Sequence, residues 1–219
     1  MPPMSQGTRV PLTRERIIAA AVELVDEGGF EALSMRKLGA AVGVEAMSLY
    51  NHVDNKDDVL DGILDAVLCE VPDPDPSLPW DRRLRELAHG FRRVGLAHPG
   101  VLPMFNSRRI LTAEAFSSIA GIHGILLEAG FDRDASLDAF VYVASFIAGY
   151  LQIDMGRITM TEAGRVTDYA GWDHDDRPAE VDLGLGLVAR DWSTELDRCI
   201  DLMLAGLRAL LAGARADHA

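Results

Sequence analysis

The sequence predicts an all-α protein, and two observations carry that prediction. Apolar residues recur every three or four positions in several long segments, which is the spacing of a helix with one buried face. Ser, Thr or Asn precedes these segments and Gly or Pro follows them, as expected at helix starts and stops. With 219 residues, 48% of them hydrophobic, the chain can form one large or two small domains with a real core.

The predicted helices fall into two groups on either side of a proline-rich linker. A flexible arm of residues 1–12 precedes a first domain at 13–71, whose first helix begins at the cap Thr13 and whose last begins after Asn55. The linker 72–79 (PDPDPSLP) contains four prolines, so no helix can cross it. The second domain, 80–219, has predicted helices at about 80–97, 112–129, 137–153 and 186–212, with a long loop at 156–185.

The stretch from Leu33 to Lys56 predicts a helix-turn-helix within the first domain. Ser34 is a suitable N-cap for a helix that ends at Gly43, a residue that can adopt the positive φ of a tight exit. A second, shorter helix is predicted from about Glu45 to His52. The short glycine-containing connection is the spacing of this motif, whose second helix enters the DNA major groove.

The residue types in the motif suit contacts with bases and phosphates. Arg36 is the only long fork-shaped donor nearby, which makes it the candidate for a bidentate guanine contact. Short side chains at the start of the second helix would reach base edges, and three later side chains are spaced to hold phosphates. The base-reading set is Glu45, Ala46, Met47 and Ser48, and the phosphate set is Tyr50, His52 and Lys56.

The same stretch resembles the DNA-binding domain of the TetR family of regulators. The matching pieces are GGFEALSMRKLGAAVGV at 28–44, SLYNHV at 48–53 and NKDDVL at 55–60. The resemblance implies an N-terminal three-helix DNA-binding domain joined to a helical ligand-binding and dimerisation domain. It assigns phosphate contacts to Ser34, Tyr50, His52 and Lys56, and base contacts to Met35, Arg36, Ala46, Met47, Ser48 and Asn51.

The resemblance also implies partners for the second domain. It predicts a homodimer that binds a palindromic operator on double-stranded DNA, most often as a repressor, and that a small-molecule effector releases. The dimer interface would combine the last helix with the helix at 137–155. That helix is apolar all round, which predicts burial on every side, and it is too short for a membrane span. The candidate effector-binding residues are large or polar side chains on apolar faces: Phe91, Met104, Phe105, Asn106, His123, Phe140 and Tyr142.

The charge of the chain argues against general affinity for nucleic acid. The net charge is −13, and residues 1–60 contain six Lys or Arg against nine Asp or Glu. DNA binding therefore requires the basic groups to be well placed. They are expected in and just after the arm and on the groove-facing stretch: Arg9, Arg14, Arg16, Arg36, Lys37 and Lys56.

Cysteine usage and the N-terminus suggest a cytoplasmic protein. Cys69 and Cys199 are predicted to be buried free thiols in a reducing compartment, and the first residues show no apolar run typical of a signal peptide. We expect neither a cofactor nor a metal, and no membrane association.

Three alternatives remain open at this stage. A helical-bundle metal enzyme would use Glu86 and His89, or the cluster Asp173–Asp176, but the sequence shows only one Glu-x-x-His pair and none of the common catalytic motifs. A DNA binder that responds to no ligand should be basic, whereas this chain is acidic. An activator of transcription has no distinguishing sequence feature. The prediction is a regulator and not an enzyme.

Overall fold

The computed structural model of the protein describes residues 11–104, 113–162, 186, 190 and 192–217. Within those ranges every regular element is a helix, which confirms the all-α fold class. Two short 3₁₀ turns, Phe30–Ala32 and Leu102–Met104, accompany the longer helices. The helices are α1 Arg14–Gly28, α2 Met35–Val42, α3 Ala46–Leu49, α4 Lys56–Leu68, α5 Trp80–Ala97, α6 Ala113–Glu128, α7 Arg133–Glu162 and α8 Trp192–Asp217.

The chain divides into two compact units. The first contains the described residues up to Glu70 and those from His98 to Phe116, and the second contains the rest. The predicted second domain begins at residue 80 and so includes the described residues 98–104 and 113–116, which the structure assigns to the first unit. Their place in the first unit has a packing reason: a Cβ on Gly100 would lie 2.2 Å from the carbonyl oxygen of Val25, so only glycine permits this approach.

The core of the first unit lies between α1 and α4. Three side chains of α1 are completely buried, and so are three of α4: Ile17, Ala21, Val25, Val59, Ile63 and Val67. Burial of one aliphatic side chain stabilises a fold by about 1.5–3 kcal/mol, so this seam dominates the stability of the unit. The predicted caps are confirmed, because Thr13 Oγ1 accepts the Arg16 N–H at 3.3 Å and Asn55 Oδ1 accepts the Asp58 N–H at 2.9 Å.

The second unit is a helical bundle in which α5, α7 and α8 contact one another. Its core is apolar, with Leu84 and Leu87 on α5 and Ile200 and Met203 on α8 all nearly inaccessible. The bundle also buries polar groups. Arg92 Nε on α5 donates to Asp154 Oδ2 on α7 at 2.8 Å, and the Asp154 side chain is only 1% exposed.

Several predicted boundaries and burial states differ from the structure. Helix α7 runs from Arg133 to Glu162, so the predicted loop is wrong over residues 156–162; the remainder, 163–185, lies outside the described residues. A lone glycine such as Gly156 costs a helix only about 1 kcal/mol, which does not end it. Both cysteines are thiols outside any disulfide, as predicted, but the predicted burial is wrong: Cys69, which follows the end of α4 at Leu68, is exposed, and Cys199 is partly exposed.

Candidate DNA interface

Helix α2 is defined at both ends by single residues. Ser34 Oγ accepts the Lys37 N–H at 3.3 Å, which confirms the predicted N-cap. At the other end Gly43 has φ 77°, a left-handed conformation that glycine adopts without strain, and its N–H bonds the carbonyl oxygens of Gly39 and Ala40. The chain therefore leaves α2 in a sharp turn that the sequence predicted correctly.

A second glycine, which the sequence reasoning missed, sets the distance between α2 and α3. A Cβ on Gly39 would lie 2.9 Å from the carbonyl oxygen of Val44 and 3.0 Å from the nitrogen of Ala46. Val44 N–H in turn donates to the Gly39 carbonyl at 2.9 Å. The two helices can meet this closely only because position 39 has no side chain. A glycine in the middle of a predicted helix was the available clue.

Helix α3 is shorter than predicted. Its α-helical part covers Ala46–Leu49, and the prediction that it continues to His52 is wrong in that respect. The chain follows with tighter turns, in which the His52 N–H bonds the Leu49 carbonyl at 2.9 Å. Leu49 and Val53 are buried and anchor this segment, so the side chains between them point away from the core.

The structure leaves all ten predicted DNA-contact residues accessible. Met47 is 75% exposed and Tyr50 is 44% exposed, so Tyr50 is a surface residue and not a core aromatic. Arg36, Asn51 and His52 are also exposed. The others are exposed or partly exposed, and they are Ser34, Met35, Ala46, Ser48 and Lys56. All ten therefore lie on or beside α2, α3 and the start of α4, and each keeps some accessible surface.

The basic residues of the first unit divide into two groups. Arg14 is fully engaged, because its two terminal nitrogens donate to the carboxylate of Asp58 at 2.8 and 2.7 Å. This contact holds the pKa of Asp58 below its usual range. Arg16 donates to the Val42 carbonyl at 3.1 Å and so supports the end of α2. Both arginines were expected to serve DNA, and instead they hold the fold together.

The remaining described cations of the first unit lie on α2 and at the start of α4. No ion pair engages Arg36, Lys37 or Lys56 within the part of the chain that the structure describes. Long-range electrostatic attraction to a phosphate backbone needs cations that are free in this way, because a paired cation carries little net field. Two of these exposed cations precede α3 in the sequence and one follows it, on a protein that is acidic overall. Arg9 lies outside the described residues.

The seven candidate effector-binding residues lie in different places. Met104 is buried in the first unit, and Phe91 is buried on α5 of the second. His123 on α6 bonds Ser136 Oγ on α7 at 2.9 Å, which gives that imidazole a structural partner. Phe140 is partly exposed on α7 and Tyr142 is 50% exposed. Phe105 and Asn106 lie outside the described residues.

The residues considered for a metal enzyme are occupied by other contacts. Glu86 accepts the backbone N–H of Asp75 at 2.9 Å, and His89 Nε2 lies 3.0 Å from Asp197 Oδ1. Among the described residues, no three His, Cys, Asp or Glu side chains are grouped as metal ligands would be. The cluster Asp173–Asp176 lies outside the described ranges.

The fold and this surface define a class: a helix-turn-helix DNA-binding protein with a larger helical second unit. Comparison with known proteins agrees. Residues 17–63 match the family model for bacterial regulatory proteins of the tetR family, and residues 72–216 match the tetracyclin repressor-like C-terminal domain. The chain belongs to the TetR family, whose members are transcriptional regulators and not enzymes.

Three similar proteins cover most or much of the chain. An HTH-type transcriptional regulator of Saccharopolyspora erythraea is 33% identical over 212 residues, which is 95% of this chain and 89% of that protein. The class D tetracycline repressor of Escherichia coli is 32% identical over 151 residues, covering 61% of this chain and 69% of the repressor. The structure of the Streptomyces coelicolor TetR family protein ActR in complex with actinorhodin superimposes with a TM-score of 0.77, at 26% identity, over 92% of this chain and 99% of ActR.

Proposed function

We propose that this regulator binds a palindromic operator as a homodimer and is released from it by a small molecule, which makes it a repressor. The observation that carries the DNA-binding part is the exposed α2–α3 surface with its free cations. A bacterial operator lies in the cytoplasm, so the protein acts there. The acidic remainder of the chain suppresses non-specific binding, because like charge repels the phosphate backbone.

The proposed contacts divide by chemistry. Ser34, Tyr50, His52 and Lys56 carry hydroxyl, ring N–H or ammonium donors, and we assign them to phosphates. Arg36 is assigned to a guanine, since a guanidinium can bond O6 and N7 of that base together. The remaining base contacts fall on exposed or partly exposed side chains with little bulk or little charge, and they are Met35, Ala46, Met47, Ser48 and Asn51.

Exposed apolar side chains of the second unit support the dimer. Leu137 and Val141 lie one turn apart on α7 and are 47% and 61% exposed. Leu202 on α8 is 74% exposed, and Leu210 lies two turns further along the same helix. The prediction that this helix is too short for a membrane span is wrong, because Arg133–Gly156 of α7 is long and apolar enough for one by length and composition. Only 33% of its most apolar window is buried, so apolar surface is left for a second copy to cover. In a TetR-family regulator a second copy would cover these faces, and the two DNA-binding units would meet successive major grooves about 34–36 Å apart.

The effector proposal rests on the family and on the second unit. The similar structure of ActR holds actinorhodin, which is a small molecule bound by that protein. In this chain, Phe91 and Phe140 provide apolar rings and His123 provides a polar group on helices of the second unit. An effector would release DNA if it bound more tightly to the form of the dimer whose two DNA-binding units are wrongly spaced.

Binding of the purified protein to the DNA upstream of its own gene tests the proposal. We expect selective binding by a dimer, with an affinity that falls as salt rises because phosphate contacts release counterions. Replacement of Arg36 by Ala should cost about 1–3 kcal/mol on the operator and relax the preference at one base position. Lys37→Ala is the matched control for charge, since it removes an adjacent exposed cation. Equal affinity for operator and random DNA would overturn the proposal.

Tyr50→Phe separates the two kinds of contact. The variant keeps the ring and removes the hydroxyl, so it should weaken binding to all DNA sequences alike. A loss confined to one base sequence would contradict the phosphate assignment and would make Tyr50 a base-reading residue.

A further inference from the structure

A groove of about 470 Å³ runs between α1 and α4 of the first unit. The two helices lie side by side, with Arg14 paired to Asp58 at one end and Ile18 in contact with Gly62 further along. A Cβ on Gly62 would lie 2.6 Å from Ile18 Cδ1, so the helices approach closely there. Apolar side chains, among them Ile18 and Val22, line the groove. Its size is within the range of pockets that hold small organic molecules.

One buried carboxylate in this groove lacks a partner. Asp65 on α4 lines the groove and is only 6% exposed. Its Oδ1 is inaccessible and accepts no hydrogen bond from the residues that the structure describes. Removing a carboxylate from water is costly unless a cation or several donors replace the lost hydration. Asp65 Oδ1 would therefore be stabilised by a hydrogen-bond donor that the described residues do not supply.

The nearest cation cannot take that role. Arg14 also lines the groove, but both terminal nitrogens of its guanidinium are bonded to Asp58. Arg14 and Asp65 attract each other electrostatically, but no hydrogen bond joins the Arg14 guanidinium to Asp65 Oδ1.

Three further acidic residues surround the groove. Glu15 and Glu23 on α1 and Glu70 just after α4 are exposed members of its lining. Arg14 is the one cation among the lining residues that the structure describes. The groove therefore repels anions and combines an apolar floor with a buried anionic acceptor.

We propose that this groove binds a small organic cation, with an ammonium or guanidinium group carried on an apolar body. The charged group donates to Asp65, and the apolar part lies against Ile18 and Val22. A charge-assisted hydrogen bond of this kind is about twice as strong as a neutral one, and it replaces the hydrogen bonds to water that Asp65 loses on burial. The groove is separate from the surface of α2 and α3 proposed to bind the operator. Cation binding in the groove therefore does not depend on whether that surface binds DNA.

Calorimetric titration of the whole protein without DNA tests the proposal. The probes are 4-phenylbutylamine, 4-phenylbutanol and 4-phenylbutyrate, which share one apolar body and differ in charge. We expect the amine to bind about tenfold or more tightly than the alcohol, and the carboxylate to bind weakest. Asp65→Asn should abolish the preference for the amine. Asp57→Asn, the same change at an exposed residue of α4 outside the groove, should retain it.

A second variant locates the site without touching the carboxylate. Ala19 is an exposed member of the lining, so Ala19→Trp should fill the groove and leave the core intact, and binding of amine and alcohol should both fall. The proposal is overturned if the wild-type protein does not distinguish amine from alcohol, if Asp65→Asn keeps the preference, or if Ala19→Trp binds the amine as well as the wild type does. None of these measurements involves DNA. A failure of the operator-binding proposal would therefore be distinguished from a failure of the cation-binding proposal.

Discussion

The helix-turn-helix of the first unit and the bundle of the second unit are stabilised by different kinds of polar contact. Around α2 and α3 the helix ends are set by local contacts: Ser34 caps a helix through a residue three positions away, and Gly43 ends it through residues three and four positions away. One longer contact, from Arg16 to the Val42 carbonyl, spans 26 positions. In the bundle, ion pairs join helices that are distant in sequence. Arg92 and Asp154 are 62 positions apart, and Arg85 and Asp197 are 112 apart with 2.6 Å between their atoms.

This difference has a consequence for how each region responds to change. A local contact shapes one turn, so its loss should alter the DNA-facing surface while the rest of the unit stays folded. A long-range ion pair connects whole helices, so its loss should weaken the entire bundle. Variants in each region test this difference.

The largest effect is expected at the buried ion pair of the bundle. Arg92→Leu removes the cation beside Asp154, which is 1% exposed, and should destabilise the protein by about 3–5 kcal/mol. Chemical denaturation measures this loss. The double change Arg92→Leu with Asp154→Asn leaves no buried charge and should be less destabilised than Arg92→Leu alone. If the double variant is less stable than Arg92→Leu, the unpaired charge of Asp154 is not the reason for the loss of stability.

The next largest effect is expected at the close contact between α2 and α3. Gly39→Ala places a Cβ 2.9 Å from the Val44 carbonyl oxygen and should cost about 1–3 kcal/mol of stability. Because α3 must shift, operator affinity should fall by more than the stability loss explains. Gly121→Ala is the matched control, since nothing lies within 4 Å of a Cβ there. Unchanged operator affinity in Gly39→Ala would show that α3 tolerates the shift.

A long-range contact within the first unit makes stability depend on pH. His98 Nδ1 lies 2.7 Å from Asp26 and its Nε2 lies 3.0 Å from Glu70. Burial alone would lower the pKa of His98, but these two carboxylates outweigh burial and raise it above the ordinary value of 6.5. The contribution of His98 is therefore fully present below about pH 6.5 and is lost as pH rises through the raised pKa.

The variant His98→Gln tests this dependence. The wild-type protein should lose stability relative to the variant between pH 6 and pH 8.5, by about 1 kcal/mol. Denaturation curves at the two pH values measure the difference, and Glu31→Gln, an exposed carboxylate of the same unit, is the control. If the stability of the wild type relative to His98→Gln rose with pH, the assigned direction of the pKa shift of His98 would be wrong.

The smallest effect is expected at the cap of α2. Ser34→Ala removes the acceptor of the Lys37 N–H and should cost about 1 kcal/mol. Operator affinity should fall with it, because Ser34 is also assigned to a phosphate. Thr13→Ala removes the corresponding cap of α1 and should cost similar stability with less effect on DNA binding. Equal losses of operator affinity in the two variants would contradict the assignment of Ser34 to a phosphate contact.

Features that depend on short stretches of chain could be predicted from the sequence. Caps at Thr13, Ser34 and Asn55, the left-handed turn at Gly43 and the all-α fold were all predicted, because each depends on residues within about one helical turn. The ten DNA-contact candidates were also identified from spacing and family resemblance, and the structure leaves them accessible.

The pairing of side chains distant in sequence could not be predicted and became visible in the folded protein. Arg14 and Arg16 form hydrogen bonds within the first unit, and Gly100 packs against Val25. Asp65 is buried, and its Oδ1 accepts no hydrogen bond from the described residues. The structure also showed that α7, apolar all round in sequence, is uncovered along part of its surface within one chain. These outcomes depend on contacts between residues far apart in sequence, and a single sequence contains no local pattern that specifies such contacts.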